Sequence, residues 1–324
     1  MIFILIALAL VFDFLNGFHD SSNVVATPIS SGAIPPRRAL MLAAVAHFIG
    51  PFLFGVAVAT TIGDGLLVED AITTTALIAG LVGAIAWNLI TWYFGLPSSS
   101  SHALIGGLVG AALVESGIEA IQLDGLTKIV IALLLSPILG LAIGYVVMFV
   151  TLFAARGATP KVNTFFRKIQ YGTMIGLALS HGTNDAQKTM GVITLGLVTA
   201  GVLETFEVPV WVIFLCSTAI ALGTALGGWR LIRTLGGKIF RIRPVHAFAS
   251  QLAGGAVIMG AALAGAPVST TQVMSTAIIG VGAAERANKV RWTVLRDLMV
   301  AWLLTIPAAA LMAGATMWLI LALA

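Results

Sequence analysis

Long apolar runs, separated by short polar segments, occupy most of the chain. A helix needs roughly 20 apolar residues to cross a bilayer, which is far more than a buried strand requires. Seven runs reach that length, at 1–34, 39–61, 71–94, 126–155, 169–201, 208–229 and 293–323, and two shorter ones lie at 101–115 and 268–283. The pattern predicts an all-α polytopic membrane protein.

Composition supports a lipid environment. Hydrophobic residues make up 59% of the 324 residues and charged residues 9%, with a mean hydropathy of +1.05. A soluble domain of this composition would expose a large apolar surface, so the lipid bilayer is the expected partner. The net charge of +4 is divided among loops, and no nucleic-acid partner is expected. The single cysteine, Cys216, provides neither a disulfide framework nor a metal cluster, and no cofactor is expected.

Basic and acidic loops alternate along the chain. Fifteen of the 17 Lys and Arg residues fall in four segments, at 37–38, 156–168, 230–243 and 286–296. Acidic residues collect between them, at 64–70, 115–124 and 204–207. The positive-inside bias makes the basic loops cytoplasmic, in the plasma or inner membrane, with both termini outside. The alternation then requires the two short runs to cross as well, which predicts five crossings per half and ten in all.

Two polar motifs occur twice. The segment 16–23 (NGFHDSSN) matches 181–188 (HGTNDAQK) at an offset of 165 residues, and 97–102 (PSSSSH) matches 267–272 (PVSTTQ) at an offset of 170. Two copies with odd crossing numbers have opposite orientations, as in inverted-repeat transporters. We therefore predict a first repeat, a cytoplasmic basic linker and a second repeat, at 1–155, 156–168 and 169–324.

The first motif pair puts Asp20 and Asp185 inside apolar runs. Gly, Asn and Asp favour caps and turns over helix interiors, so we predict a helix broken near 17–20 and another near 182–185. An intramembrane carboxylate is a functional candidate by default. Beside freed backbone carbonyls and an Asn oxygen, it suits sodium or carries a proton itself.

The second motif pair follows a proline and predicts two helix N-termini, with Ser98–Ser101 and Ser269–Thr271 at the N-cap and first turn. Free amides and the positive helix end attract anions, and hydroxyls add neutral donors. Two such ends meeting near the midplane would hold a tetrahedral oxyanion, with a cation compensating its charge. Interhelical packing is the alternative interpretation of these hydroxyls.

Other polar residues in the runs have more than one interpretation. Asp13 lacks a counterpart, because Ala178 stands at the matching position, and we expect it to be structural or near the outer surface. Lys188 is expected to neutralise an Asp. Three histidines are either proton relays or hydrogen-bonded core imidazoles: His19, His102 and His181.

These four motifs together resemble the duplicated signatures of the inorganic phosphate transporter (PiT) family, over nearly the whole chain. The resemblance implies phosphate symport with sodium or protons and ten to twelve transmembrane segments. It implies phosphate binding by Asp20, Ser99, Ser100, Ser101, Asn184, Asp185, Ser269, Thr270 and Thr271, and sodium binding by Asp20, Asn23, Asn184 and Asp185. Gln251 and Gln272 replace a Glu and a His common in the family, which favours sodium over protons.

The predicted function is import of inorganic phosphate with sodium by alternating access, with no catalytic residues and no metal beyond sodium. The alternatives are proton-coupled symport of phosphate or metal–phosphate, transport of another oxyanion such as sulfate, and an anion channel. A channel should show a continuous polar stripe, which the chain lacks. An intramembrane enzyme ranks last, because a hydrolytic site would not need an inverted duplicate. The oligomeric state stays open, with a homodimer as one option.

Overall fold

A computed structural model describes residues 1–68 and 71–323. Glu69 and Asp70, which contribute to the predicted outer acidic loop, and Ala324 lie outside the described residues. The described part forms twelve α-helices: α1 (Ile2–Ser30), α2 (Pro36–Leu53), α3 (Ala57–Gly63), α4 (Thr74–Phe94), α5 (Ser100–Ser116), α6 (Leu123–Ala154), α7 (Val162–Thr199), α8 (Val210–Leu226), α9 (Trp229–Gly237), α10 (Pro244–Leu263), α11 (Thr270–Arg286) and α12 (Trp292–Leu323). The all-α prediction is confirmed.

Several of these helices could cross a membrane. By length and composition, five qualify individually, namely α1, α4, α6, α10 and α12, and up to seven qualify if each bent pair counts as one span. The bent pairs are α2 with α3, at 79°, and α8 with α9, at 69°. Helices α5 and α11 have 17 residues each and fall short of a full span. The number of crossings and the sidedness of the loops stay predictions.

The predicted breaks at the Asp motifs are wrong in position. Helix α1 runs unbroken through 17–20 and α7 through 182–185. The glycines of these motifs serve helix crossings instead: a Cβ on Gly17 would lie 2.1 Å from the Ile220 carbonyl oxygen, and one on Gly182 would lie 2.7 Å from the Cα of His47. The motifs therefore bring neighbouring backbones close together, and α1 and α7 stay helical.

The real breaks lie between α2 and α3 and between α8 and α9, and each is held by the other half. In α7, the Gln187 carbonyl oxygen accepts a hydrogen bond from the Val58 amide at 2.8 Å, and its amide nitrogen donates to the Gly55 carbonyl at 2.6 Å. In α1, the Ser21 hydroxyl accepts from the Gly228 amide at 2.9 Å. Backbone groups freed by the bends are thus satisfied inside the protein, as an apolar environment requires.

Two apolar clusters lie on either side of the buried polar residues. The first contains Phe12 from the start of α1 and Met190 from the end of α7, together with parts of α3, α4, α5 and α8. The second contains Val24 from the end of α1 and Leu177 from the start of α7, together with parts of α2, α9, α10 and α11. Corresponding helices of the two halves thus lie in opposite clusters, which is the arrangement expected of two inverted copies.

The halves also exchange packing partners. Helix α5 packs on α12 of the second half, and α11 packs on α6 of the first half. These contacts are close, because a Cβ on Gly110 would lie 2.3 Å from the Ala310 carbonyl oxygen and one on Gly280 would lie 2.2 Å from that of Leu141. Close approach through small residues is the usual way in which membrane helices pack. The interlocked helices hold α5 and α11 in fixed positions at the centre.

Candidate functional site

Two carboxylates from different halves share the hydroxyls of one helix N-terminus. Asp20 on α1 and Asp185 on α7 are both buried, as are Thr270 and Thr271 in the first turn of α11. The Thr271 hydroxyl donates to Asp20 Oδ1 at 3.1 Å, and that of Thr270 donates to Asp185 Oδ2 at 3.0 Å. Thr270 Oγ1 also lies 3.5 Å from Asp20 Oδ2. The two Asp motifs and the second hydroxyl motif therefore form one site.

The N-termini of α5 and α11 meet beside the carboxylates. Ser99 and Ser269 are the N-cap residues, and their hydroxyls accept hydrogen bonds from the amides of His102 and Gln272 at 3.2 and 3.3 Å. The Ser269 hydroxyl donates to that of Ser99 at 2.8 Å. The predicted N-caps are confirmed, and two positive helix ends converge on the same point.

Asn23 and Lys188 occupy matching positions, one turn after each Asp. The Asn23 amide nitrogen donates to Thr271 Oγ1 at 3.1 Å. The Lys188 ammonium donates to Asp185 Oδ1 at 2.5 Å and to the Val268 carbonyl at 3.0 Å. The expectation that Lys188 neutralises an Asp is confirmed, and the pair is buried.

Three predicted site residues lie next to the carboxylates without bonding to them. Ser101 donates to the Val268 carbonyl at 3.2 Å, and the Asn184 amide nitrogen donates to the Ala266 carbonyl at 3.1 Å. The Ser100 hydroxyl is buried and has no hydrogen-bond partner among the described residues. These side chains thus line the two helix tips rather than the carboxylate pair.

Comparison with known proteins gives this geometry a context. The model of the phosphate transporter family matches residues 16–313, which include both Asp motifs and both hydroxyl motifs. The chain belongs to this family. The chain is therefore a transporter and not an enzyme, and it is a multi-pass membrane protein.

Individual members of the family match over almost their whole length. The chain is 45% identical to the "Probable low-affinity inorganic phosphate transporter" of Bacillus subtilis (strain 168), covering 98% of this chain and 96% of that protein. It is 45% identical to the protein of the same name from Rhizobium meliloti (strain 1021), covering 96% and 93%. A solved structure described as "The sodium-dependent phosphate transporter" matches 100% of this chain and 99% of that chain, with a TM-score of 0.89 and 24% identity, and shows the same fold.

The histidines of this family member touch the site at different points. His19 Nδ1 lies 2.7 Å from Asp20 Oδ1, and His181 Nε2 lies 3.4 Å from Asp185 Oδ2. His102 instead bonds to Ser99 Oγ at 2.7 Å, away from both carboxylates. His47 on α2 stacks on His181, with ring centroids 4.9 Å apart. Sequence reasoning missed His47, whose sole signal was a polar residue within the apolar run 39–61.

The donor atoms at the centre could hold a cation. One atom each from Asp20, His181 and Asp185 lies within 4.8 Å of the others. Since α1 and α7 are unbroken, the expected backbone carbonyls are absent from this described part of the site, and hydroxyls of α11 take their place. Carboxylates, hydroxyls and an Asn carbonyl are oxygen ligands suited to a hard cation.

Two further polar residues lie beyond the pair of carboxylates. Asp13 is fully buried two turns before Asp20, and its expected structural role or place near the outer surface stays a prediction. Within the described residues, neither of its carboxyl oxygens has a hydrogen-bond partner. Gln251 accepts from the Thr173 hydroxyl at 2.5 Å and donates to Thr27 Oγ1 at 3.3 Å, which ties α10 to α7 and α1.

Proposed function

We propose that the protein imports inorganic phosphate together with sodium by alternating access. The observation that carries the proposal is the contact between the N-caps of α5 and α11 beside Asp20 and Asp185. The helix ends supply amides and hydroxyls, which bind a tetrahedral oxyanion as neutral donors. The negative charge of the carboxylates is the reason that phosphate binding would depend on a bound cation.

Phosphate and the carboxylates repel each other. At about 4 Å, two like charges interact by about 4 kcal/mol at an effective dielectric constant of 20. A sodium ion bound at Asp20 would offset this repulsion, so phosphate binding becomes more favourable once the cation is present. Import driven by the sodium gradient is the expected consequence of this electrostatic linkage.

The surroundings of the site support alternating access. Asp20 and Asp185 are 2% and 1% exposed, so neither side of the protein has an open route to them. The two apolar clusters close the site in opposite directions along α1 and α7. Opening one cluster while the other stays packed would expose the site to one side at a time.

Sodium is favoured by the oxygen atoms around Asp20. Thr271 Oγ1 contacts Asp20, and the side-chain carbonyl of Asn23 is buried without a hydrogen-bond partner in the described part of the chain. The solved structure of the same fold is described as sodium-dependent, which agrees with this choice. Proton coupling is the second candidate, because His19 lies 2.7 Å from Asp20 and could carry a proton there.

Radiolabelled phosphate uptake into proteoliposomes tests the proposal. We expect uptake under an imposed sodium gradient, loss of that uptake in Asp20→Asn, and normal uptake in the matched control Asp124→Asn, whose side chain is exposed at the start of α6. Sulfate and arsenate serve as competitors. Uptake driven by a proton gradient alone would replace sodium by the second candidate. The proposal would be overturned if the protein took up no phosphate under either gradient and the same preparation also failed to bind phosphate.

A further inference from the structure

The internal repeat places two different residues at one functional position. Asn23 follows Asp20 by three residues, and Lys188 follows Asp185 by three residues. Residues three apart on a helix share a face, so each side chain reaches the region of its own carboxylate. The two halves therefore present the same frame with an amide in one and an ammonium in the other.

The first half has no Lys or Arg beside its carboxylate in the described chain. Asn23 uses its amide nitrogen to donate to Thr271 Oγ1 at 3.1 Å, while its carbonyl oxygen is buried and unbonded within the described residues. Asp20 accepts bonds from neutral hydroxyls, and its nearest basic group is the imidazole of His19. No Lys or Arg in the described chain forms an ion pair with Asp20 within 4.0 Å. Asp20 is therefore the carboxylate that an external cation would bind.

The second half contains its own cation. Lys188 Nζ is 2.5 Å from Asp185 Oδ1 and 3.0 Å from the Val268 carbonyl oxygen, at the tip before α11. The ammonium therefore bridges a carboxylate and a backbone carbonyl, which are ligands that a sodium ion would use. The side chain is 2% exposed, so water does not screen its charge. A sodium ion beside it would meet a like charge at short range in a poorly screened environment, which opposes its binding.

We propose that Lys188 is a tethered cation that takes the place of one transported sodium ion, so that only the Asp20 motif binds a coupling sodium. This inference rests on the proposed sodium–phosphate symport and specifies its stoichiometry. The first-half motif, with Asn23, stays open to the ion. The second-half motif has the Lys188 ammonium beside Asp185 and therefore offsets the charge of its carboxylate without consuming a second ion from the gradient.

Two substitutions separate the charge of Lys188 from its ligand atoms. Lys188→Asn removes the charge and supplies a side-chain carbonyl like that of Asn23, whereas Lys188→Met removes the charge and supplies no oxygen. The Hill coefficient for sodium in phosphate uptake cannot exceed the number of coupled sites, and it should rise from about one in the wild type towards about two in Lys188→Asn. Binding of ²²Na⁺ to purified protein should double in Lys188→Asn and stay at the wild-type level in Lys188→Met.

The converse substitution protects the test against a misfolded variant. Asn23→Lys should insert a second tethered cation and abolish sodium binding in a protein that remains monodisperse. The inference is overturned if wild type already binds two sodium ions per chain, if Lys188→Asn and Lys188→Met bind the same amount of sodium, or if Asn23→Lys keeps its sodium site. A wild type that binds no sodium and shows no sodium-driven uptake would instead refute the proposed function itself.

Discussion

The two Asp motifs have the same position in their halves and different charge. Asp20 is contacted by neutral hydroxyls and by His19, whereas Asp185 is bonded to the Lys188 ammonium. Outside the motif, the first half adds a buried carboxyl, Asp13, where the second half has Ala178. The two motifs thus bring both carboxylates to the same hydroxyls, while divergence at a few positions gives only Asp185 a lysine partner.

The hydroxyl motifs of the two halves also differ in the groups to which they bond. Thr270 and Thr271 of the second half bond to both carboxylates, while their counterparts Ser100 and Ser101 bond to neither. An anion bound between the tips, as proposed, would therefore find occupied hydroxyls on α11 and, on α5, the uncommitted hydroxyl of Ser100.

The largest expected effect is on the buried pair of the second half. Removing one partner of a buried ion pair leaves an unpaired charge and destabilises a protein by about 3–5 kcal/mol. We expect Asp185→Asn and Lys188→Met each to lower the free energy of unfolding by that amount, and the double variant to lose much less than their sum. Thermal unfolding of the wild type, the two single variants and the double variant in detergent measures these differences as a double-mutant cycle.

The first half provides the contrast for that cycle. Asp20→Asn and Asn23→Ala should each cost less than the single changes at Asp185 and Lys188, because the Asp20 carboxylate has no ammonium to leave behind. Within the described residues, Asp20 and Asn23 are coupled only through the hydroxyl of Thr271, so their coupling energy should be smaller than that of the second-half pair. If the second-half pair shows no larger coupling energy, the described ion pair does not stabilise the protein and the contrast between the halves fails.

The next effect concerns the two bent helix pairs. Gln187 bonds to three backbone groups at the bend between α2 and α3, namely the amides of Val58 and Ala59 and the carbonyl of Gly55, whereas Ser21 bonds to one amide at the bend between α8 and α9. Leaving a buried polar group unsatisfied costs about 1–3 kcal/mol. Gln187→Leu should therefore lower the melting temperature clearly more than Ser21→Ala.

A conservative change tests the cause of that difference. Gln187→Glu keeps the size and, when its carboxyl is protonated, keeps one acceptor for the Val58 amide and one donor for the Gly55 carbonyl, so in acid its cost should be smaller than that of Gln187→Leu. Equal melting temperatures for Gln187→Leu and Ser21→Ala would mean that the bends are held by packing rather than by these side chains.

The sequence predicted polar residues that the structure brings together, but it did not predict the shape of their helices. The predicted N-caps at Ser99 and Ser269 are present because a proline followed by hydroxyl residues has a local structural preference. The predicted breaks at Gly17 and Gly182 failed because a helical glycine has two uses, turning the chain or admitting a neighbouring backbone, and only the tertiary partner decides between them. The real bends contain glycines with positive φ, Gly55 and Gly227, but glycine is common throughout the apolar runs and does not by itself distinguish a bend from a helix crossing. Gln187 and Ser21 stabilise these bends from distant helices, which the local sequence does not show.

The crossing glycines give a smaller effect that compares the halves again. A Cβ at Gly17 would meet the Ile220 carbonyl at 2.1 Å, and one at Gly182 would meet the His47 Cα at 2.7 Å. Overpacking of this kind costs about 1–3 kcal/mol, and Gly17→Ala should be the worse of the two because its clash is shorter. Gly176→Ala is the control, since nothing lies within 4 Å of its Cβ position on α7. If Gly176→Ala lowers the melting temperature as much as the other two changes, helix propensity rather than packing determines the effect.

The smallest effect lies where α4 meets α5 and α10 meets α11. In the first half, Glu115 accepts bonds from the backbone and hydroxyl of Thr73, the N-cap of α4. In the second half, Glu285 pairs with Arg243, the N-cap of α10, and with Lys289 at 3.6 Å. The same carboxylate position thus uses neutral donors in one half and cations in the other.

Glu285, which pairs with cations, should make the stability of the protein more dependent on pH than Glu115, which accepts bonds from neutral donors. Partial burial raises the pKa of Glu285, but the neighbouring His246, Arg243 and Lys289 together lower it below its usual value of 4.5. A lowered pKa in the folded state gives stability that is present above pH 4.5 and is lost as the pH falls through the folded-state value. Since the partners are partly exposed, we expect a contribution to stability of about 0–1 kcal/mol, reduced further by salt.

The melting temperatures of Glu285→Gln and wild type should therefore differ at neutral pH and converge in acid. The control is Asp297→Asn, which changes an exposed carboxylate 4.0 Å from Arg296 and should match the wild type at every pH. A difference that persists below the folded-state pKa would assign the effect of Glu285 to packing at this end of α11 rather than to its charge.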